Sequence, residues 1–173
     1  MIRILSIFAL VAAFAGCASS PTPSLEPNPD FSPEQAARAH PVQMYHHAGR
    51  LLEAGDMNEA AFWFYAGQLR YRVHLMARPG LPPDRDPALF ASLNSVLGQE
   101  INEYLGAHPD EWERVIERVL NWDANTPNDF TPKSEYSAEH EEVRSGLTEL
   151  WEMVRNNREE LQKAAADREA SNR

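Results

Sequence analysis

The chain has 173 residues, with 16 Lys and Arg against 26 Asp and Glu and a formal charge of −10. That length holds one modest domain, and 43% hydrophobic with 24% charged residues is a folding composition, which excludes a disordered chain. The acidic balance argues against nucleic acid as the main partner, since phosphates are bound by a basic face, and one cysteine excludes an intramolecular disulfide.

At the N-terminus a single positive side chain, Arg3, precedes the apolar run 4–14, and Ala15-Gly16 stand before Cys17. An apolar run of about 11 residues is too short to span a bilayer, which takes about 20, and fits an export signal. Phe14-Ala15-Gly16-Cys17 resembles the lipobox of bacterial lipoproteins, although the family usually has Leu where Phe14 stands. The resemblance implies that residues 1–16 are removed and that Cys17 is lipidated. Because Ala18 rather than Asp follows, it also implies an outer-membrane anchor facing the periplasm. The alternative is an ordinary secretory signal with an incidental cysteine. A catalytic thiol is not expected, because Cys17 has only leader before it and linker after it. Residues 17–31 hold four of the thirteen prolines and read as a semi-rigid tether.

From residue 32 the signals are helical, and the domain is expected over 32–161. Ser32-Pro33-Glu34-Gln35 has a capping hydroxyl, Pro at the first helical position and Gln three residues after the cap. Pro41 interrupts the chain, and a helix over about 42–54 ends at Gly55. The next helix runs over about 57–76, before a loop, 78–87, whose four prolines forbid regular structure. Asp86-Pro87 then caps a helix over about 88–105, with Leu89, Leu93, Val96, Leu97, Ile101, Tyr104 and Leu105 at helical period. Another starts near Pro109 with Trp112, Val115, Ile116, Val119 and Leu120. Residues 123–137 read as irregular, and a long helix follows with Val143, Leu147, Leu150, Trp151, Val154 and Leu161 on one side. Residues 162–173 read as a polar tail that frays or projects. With no strand alternation, the expected fold is all-α, a bundle of five to six helices.

The segment from His46 to Tyr65 pairs a helix, a Gly55-Asp56 turn and Glu59-Ala60 with an aromatic four residues on. It resembles one tetratricopeptide hairpin, which implies that Gly55 turns the chain, Ala60 lets two helices approach and Phe64 fills the core. Such arrays need about three stacked units, and no second copy is present; the alternative is an ordinary helical hairpin in a bundle. Phe62-Trp63-Phe64-Tyr65 makes the 57–76 helix apolar on all sides, hence central. The same helix carries two polar stripes, Trp63-Gly67-Arg70-His74 and Tyr65-Gln68-Arg72. Trp63, Gln68, Arg70, Arg72 and His74 are therefore the candidate partner-binding residues, because Arg offers a planar fork to carboxylates. The competing reading pairs the arginines internally with acids such as Glu100 or Glu103.

Other chemistry finds little support. The histidines at 40, 46, 47, 74, 108 and 140 show no ligand spacing, so no metal or other cofactor is expected. Asp123-Ala124-Asn125 opens like a calcium loop, but Ser134 stands where the loop needs Glu. His108-Pro109-Asp110 matches the J-domain tripeptide, yet the preceding helix is acidic, and helix entry explains it better. No hydrolase elbow, phosphate loop or dinucleotide fingerprint is present, and no catalytic residue is expected. The stretches 62–70 and 122–128 resemble signature segments of exported proteins of Gram-negative bacteria, a resemblance that carries no activity. The expectation is a non-enzymatic, lipid-anchored periplasmic domain that binds an envelope protein or peptide. The alternative is an immunity or inhibitor lipoprotein that neutralises a toxin or lytic enzyme.

Overall fold

A computed structural model describes residues 25–171. The expected signal peptide, 1–16, and Cys17 lie outside the described residues. After a single 3₁₀ turn, Pro33–Gln35, the chain forms α1 (Val42–Glu53), α2 (Met57–Met76), α3 (Asp86–Ala107), α4 (Pro109–Asn125), α5 (Ser137–Asn156) and α6 (Arg158–Ser171). Among the described residues these six α-helices form a bundle without strands, and none of them is long and apolar enough to cross a membrane.

The α1–α2 hairpin is set by its turn. Gly55 has φ +80°, the left-handed conformation that glycine adopts without a Cβ penalty. Its N–H donates to Leu52 O and the Asp56 N–H to Leu51 O, both at 2.9 Å, which satisfies two terminal carbonyls of α1 in the Schellman arrangement. Asp56 then caps α2, its Oδ1 accepting from the Glu59 N–H at 3.3 Å. Farther along, Gly67 allows the two helices to close: a Cβ there would lie 3.1 Å from Met44 Cβ and 3.0 Å from Tyr45 Cδ2.

α2 is the centre of the bundle and packs against α1, α3, α4 and α5. Its four consecutive aromatics are all buried, and each meets a different set of neighbours. Phe62 faces Trp122 of α4; Trp63 sits among Phe31, His47 and Trp122; Phe64 meets Tyr45. Tyr65 accepts from Trp112 Nε1 and donates to Asn102, both at 3.0 Å. A helix that is apolar all round is stable only when surrounded, and here it is.

Four boundaries differ from the sequence expectation. Residues 25–31 do not form part of a free tether. Phe31 is buried, the Asn28 N–H donates to Gln43 Oε1 at 2.9 Å, and Gln43 Nε2 donates to Glu26 O at 2.7 Å. α3 starts at Asp86 rather than Ala88, with Arg85 in the cap position. α4 continues through Asn125, so Asp123 is helical. The long last helix is two helices with a break at Asn157, and the polar stretch after Leu161 remains helical to Ser171. There Gln162 Nε2 reaches Asp110 at 3.2 Å and Arg168 Nη2 reaches Gly106 O at 3.4 Å.

Candidate functional site

The two polar stripes of α2 have different fates. Trp63, Arg70 and His74 are only 4%, 1% and 3% exposed, so this stripe is internal and offers no surface to a partner. Arg70 Nε lies 2.8 Å from Asp123 Oδ1, and its terminal nitrogens donate to Pro127 O and Thr126 O at 3.0 and 3.1 Å. The guanidinium also stacks over Trp122, 4.8 Å from the ring centre. The internal pairing is with Asp123, not with Glu100 or Glu103, both of which are exposed. Asp123, itself fully buried, also receives Arg144 Nη1 at 2.8 Å, with Lys133 Nζ at 3.8 Å. Burial, the largest influence, pushes the proton affinities of Arg70 and Lys133 down, while Asp123 opposes the shift. This hub ties α2, α4, α5 and the 126–136 loop, and sequence spacing gave no sign of it.

A second internal cluster gathers His40, Tyr71, His74 and Asp86. His40 Nε2 is 3.3 Å and His74 Nε2 3.4 Å from the Asp86 carboxylate, which also accepts from the Tyr71 hydroxyl at 2.7 Å. The ligand-type atoms of the two histidines and Asp86 lie within 4.8 Å of one another, so a metal centre has to be tested. The other ring nitrogens decide it. His40 Nδ1 accepts from the Val42 N–H at 3.2 Å, and His74 Nδ1 faces Arg78 Nη1 at 3.0 Å. Both neighbours can only donate, so both Nδ1 atoms are acceptors and both protons sit on Nε2, on the side of Asp86. A metal ligand needs the opposite, a bare Nε2 and an Nδ1–H given to an acceptor. The donor set therefore does not suit a bound cation: Tyr71 and His74 hydrogen-bond to the Asp86 carboxylate, while His40 Nε2 lies near it without a hydrogen bond. Burial, ahead of the opposing Asp86 charge, lowers His40 to about 4, and burial likewise lowers His74. Asp86 is held below its ordinary range: burial is the largest influence and opposes this, but the Tyr71 hydroxyl and the imidazoles outweigh it.

The stripe Tyr65-Gln68-Arg72 behaves differently. It forms one wall of an open groove of about 440 Å³ between α2 and α5. Leu69, Leu75, Val143, Leu147 and Leu150 supply apolar lining, with Glu142 on the α5 side. Gly146 opens the middle, since a Cβ there would meet nothing within 4 Å. Gln68 is oriented by its hydrogen bond to Asn94 Oδ1 at 2.7 Å. Arg72 is exposed and lies over the Phe90 ring at 5.9 Å. Among the described residues it makes none of the ion pairs that engage Arg70, Arg144 and Arg158. Such a groove can take an apolar side chain or helix face and give a charge-assisted bond to a carboxylate at its edge. Of the five candidate residues, then, the structure places Gln68 and Arg72 at an accessible site and Trp63, Arg70 and His74 inside.

No family model matches the chain, and no solved structure matches it. A protein of Haemophilus influenzae described as uncharacterized is 29% identical over 97 residues, which is 56% of this chain and 38% of that protein. The chain thus matches well under half the length of that relative.

Proposed function

We propose that the chain is a non-enzymatic helical domain, held through a lipid on Cys17 at the outer membrane and facing the periplasm, that binds an envelope protein or peptide in the α2–α5 groove. The observation that carries the reading is the groove itself: an apolar floor beside the exposed guanidinium of Arg72, which among the described residues has no ion pair with a carboxylate. Leu69, Val143 and Leu147 would receive an apolar anchor, Gln68 would hydrogen-bond to backbone, and Arg72 would take an acidic side chain or terminal carboxylate. A photo-crosslinking amino acid at Gly146 tests this in intact cells. A discrete adduct that disappears with Arg72→Glu is expected; the absence of any adduct from Gly146 would refute groove binding.

The second reading, an immunity or inhibitor lipoprotein, draws on the exposed acids of α5, Glu141, Glu142, Glu149 and Glu152. They would suit a basic target. Under this reading the adduct from Gly146 would be a toxin or lytic enzyme, and deletion would harm cells only in its presence.

A further inference from the structure

An open cleft of about 490 Å³ lies between the end of α4 and the first half of α5, and its lining includes Lys133, Ser137, His140, Arg144 and Ser145. It shares no lining residue with the α2–α5 groove. The Asp123 hub stands at its floor, and the charges there do not balance. Arg70, Lys133 and Arg144 all reach Asp123, and among the described residues none of them pairs with another carboxylate. Three cations therefore share one anion, in a chain whose formal charge is −10. Glu141, exposed, is the other carboxylate of the lining.

The hydrogen bonds left open in the cleft are of two kinds. Arg144 uses Nη1 on Asp123 Oδ2 at 2.8 Å and on Leu120 O at 3.1 Å. Its Nε–Nη2 edge, a pair of parallel donors suited to an oxyanion, has no partner among the described residues. Lys133 Nζ donates to the carbonyls of Asp123 and Thr126, which leaves one of its three donors. Both side chains are 33% exposed, so these donors are accessible. His140 supplies the opposite kind. Its Nε2 donates to Thr131 O at 2.9 Å, and burial, the largest influence, lowers its proton affinity. The single ring proton is thus on Nε2, and Nδ1 is a bare acceptor. That atom is buried and has no hydrogen-bond partner among the described residues, an arrangement that costs stability until a donor arrives.

We propose that this cleft binds inorganic phosphate through Arg144, Lys133 and His140. Two anionic oxygens take the Nε–Nη2 edge of Arg144 and the remaining donor of Lys133, and the P–O–H donates to His140 Nδ1. The proton on the anion is what selects it. Sulfate and carboxylates carry none at neutral pH, and a phosphomonoester has lost most of its own above a pKa of about 6, whereas hydrogen phosphate keeps one. α5 begins at Ser137 in the lining, with no side-chain cap from Tyr136, so the positive end of the helix dipole adds to the field on the anion. The site depends neither on the lipidation of Cys17 nor on the groove.

The test is calorimetric titration of the full chain with inorganic phosphate, sulfate and glycerol phosphate in chloride buffer at neutral pH. Phosphate should saturate with a Kd of about 1 mM or tighter, and the other two should bind at least about tenfold more weakly. Arg144→Gln should weaken phosphate by about tenfold or more. Because that change also takes a cation from buried Asp123, a second variant is needed. Ser145 is exposed and bonds to nothing in the hub, so Ser145→Glu sets a fixed carboxylate in the cleft without disturbing the fold, and it should also weaken phosphate by about tenfold. Phosphate binding that does not saturate, or that sulfate matches and Ser145→Glu leaves unchanged, is general charge screening and overturns the site. Glycerol phosphate binding as tightly as phosphate overturns the selection by the P–O–H. Association with phosphatidic acid vesicles that Ser145→Glu abolishes, without saturable binding of free phosphate, overturns the assignment in favour of a lipid headgroup.

Discussion

Asp123 shows how much one buried side chain can determine. It is 0% exposed and sits between Arg70 and Arg144, with Lys133 just beyond. Removing one partner of a buried ion pair leaves an uncompensated charge, so Asp123→Ala should lower stability by about 3–5 kcal/mol in urea unfolding. The double replacement Arg70→Met with Asp123→Leu should cost less than Asp123→Ala alone, because no bare cation faces Asp123's former site from α2. Gly67→Ala is the converse case, in which helix propensity favours the substitution by about 1 kcal/mol but the new methyl meets Met44 Cβ at 3.1 Å. A β-carbon cannot rotate away, so overpacking should win and the variant should lose about 1–3 kcal/mol. Helical period placed Arg70 and His74 on one stripe and Gln68 and Arg72 on another, and both groupings hold. Which stripe faces inward was not legible, because α2 is apolar on every side and has no moment to orient it. The deciding partner, Asp123, stands on a different helix, and nothing in local spacing connects the two.

At the level of elements, the helix ends that were legible are those marked by backbone chemistry. Gly55, Pro41, the prolines of 79–87 and Pro109 each forbid or fix a conformation, and α1, α2 and α4 start or stop beside them. The break at Asn157 has no such mark. It is formed by Asn157, φ −107° and ψ 17°, whose Nδ2 donates to Met153 O at 2.7 Å; Leu161, which looked like a continuation of the α5 stripe, returns to the core from α6. The proline-rich 25–31 stretch shows the same limit, since proline makes a segment extended without saying whether it docks. The 126–136 loop reads as irregular in sequence and is irregular beyond α4, yet it is fastened. Arg70 takes Thr126 O and Pro127 O, Arg78 Nη2 donates to Phe130 O at 3.3 Å, and His140 Nε2 donates to Thr131 O at 2.9 Å. Arg78→Ala should therefore speed amide hydrogen exchange in residues 129–136 while leaving the α1–α2 hairpin protected. Equal loss of protection in both would mean that the loop is not a separate unit.

For the molecule as a whole, pH acts through the His40–His74–Asp86 cluster, which joins the α1 entry, α2 and the start of α3. Tyr71, Arg78 and the Phe130 ring face it as well. The folded form holds His40 neutral down to about 4, whereas an unfolded chain takes up the proton near 6.5. Between those values the unfolded state binds more protons, so stability should be full above about pH 6.5 and fall as pH drops toward 4. The loss should be on the order of 2 kcal/mol by pH 4.5, read from urea midpoints, and His40→Gln should flatten this part of the profile. The docking of residues 25–31 matters for the molecule in another way. Under the proposed lipidation of Cys17, only residues 18–24 would separate the anchor from the docked stretch, and a chain of that length reaches no more than about 30 Å. A binding site held within so small a volume would have an effective concentration near the membrane in the millimolar range. Weak, fast-exchanging contacts would then suffice for targets lying at the membrane surface, and targets deeper in the periplasm would have to come to it.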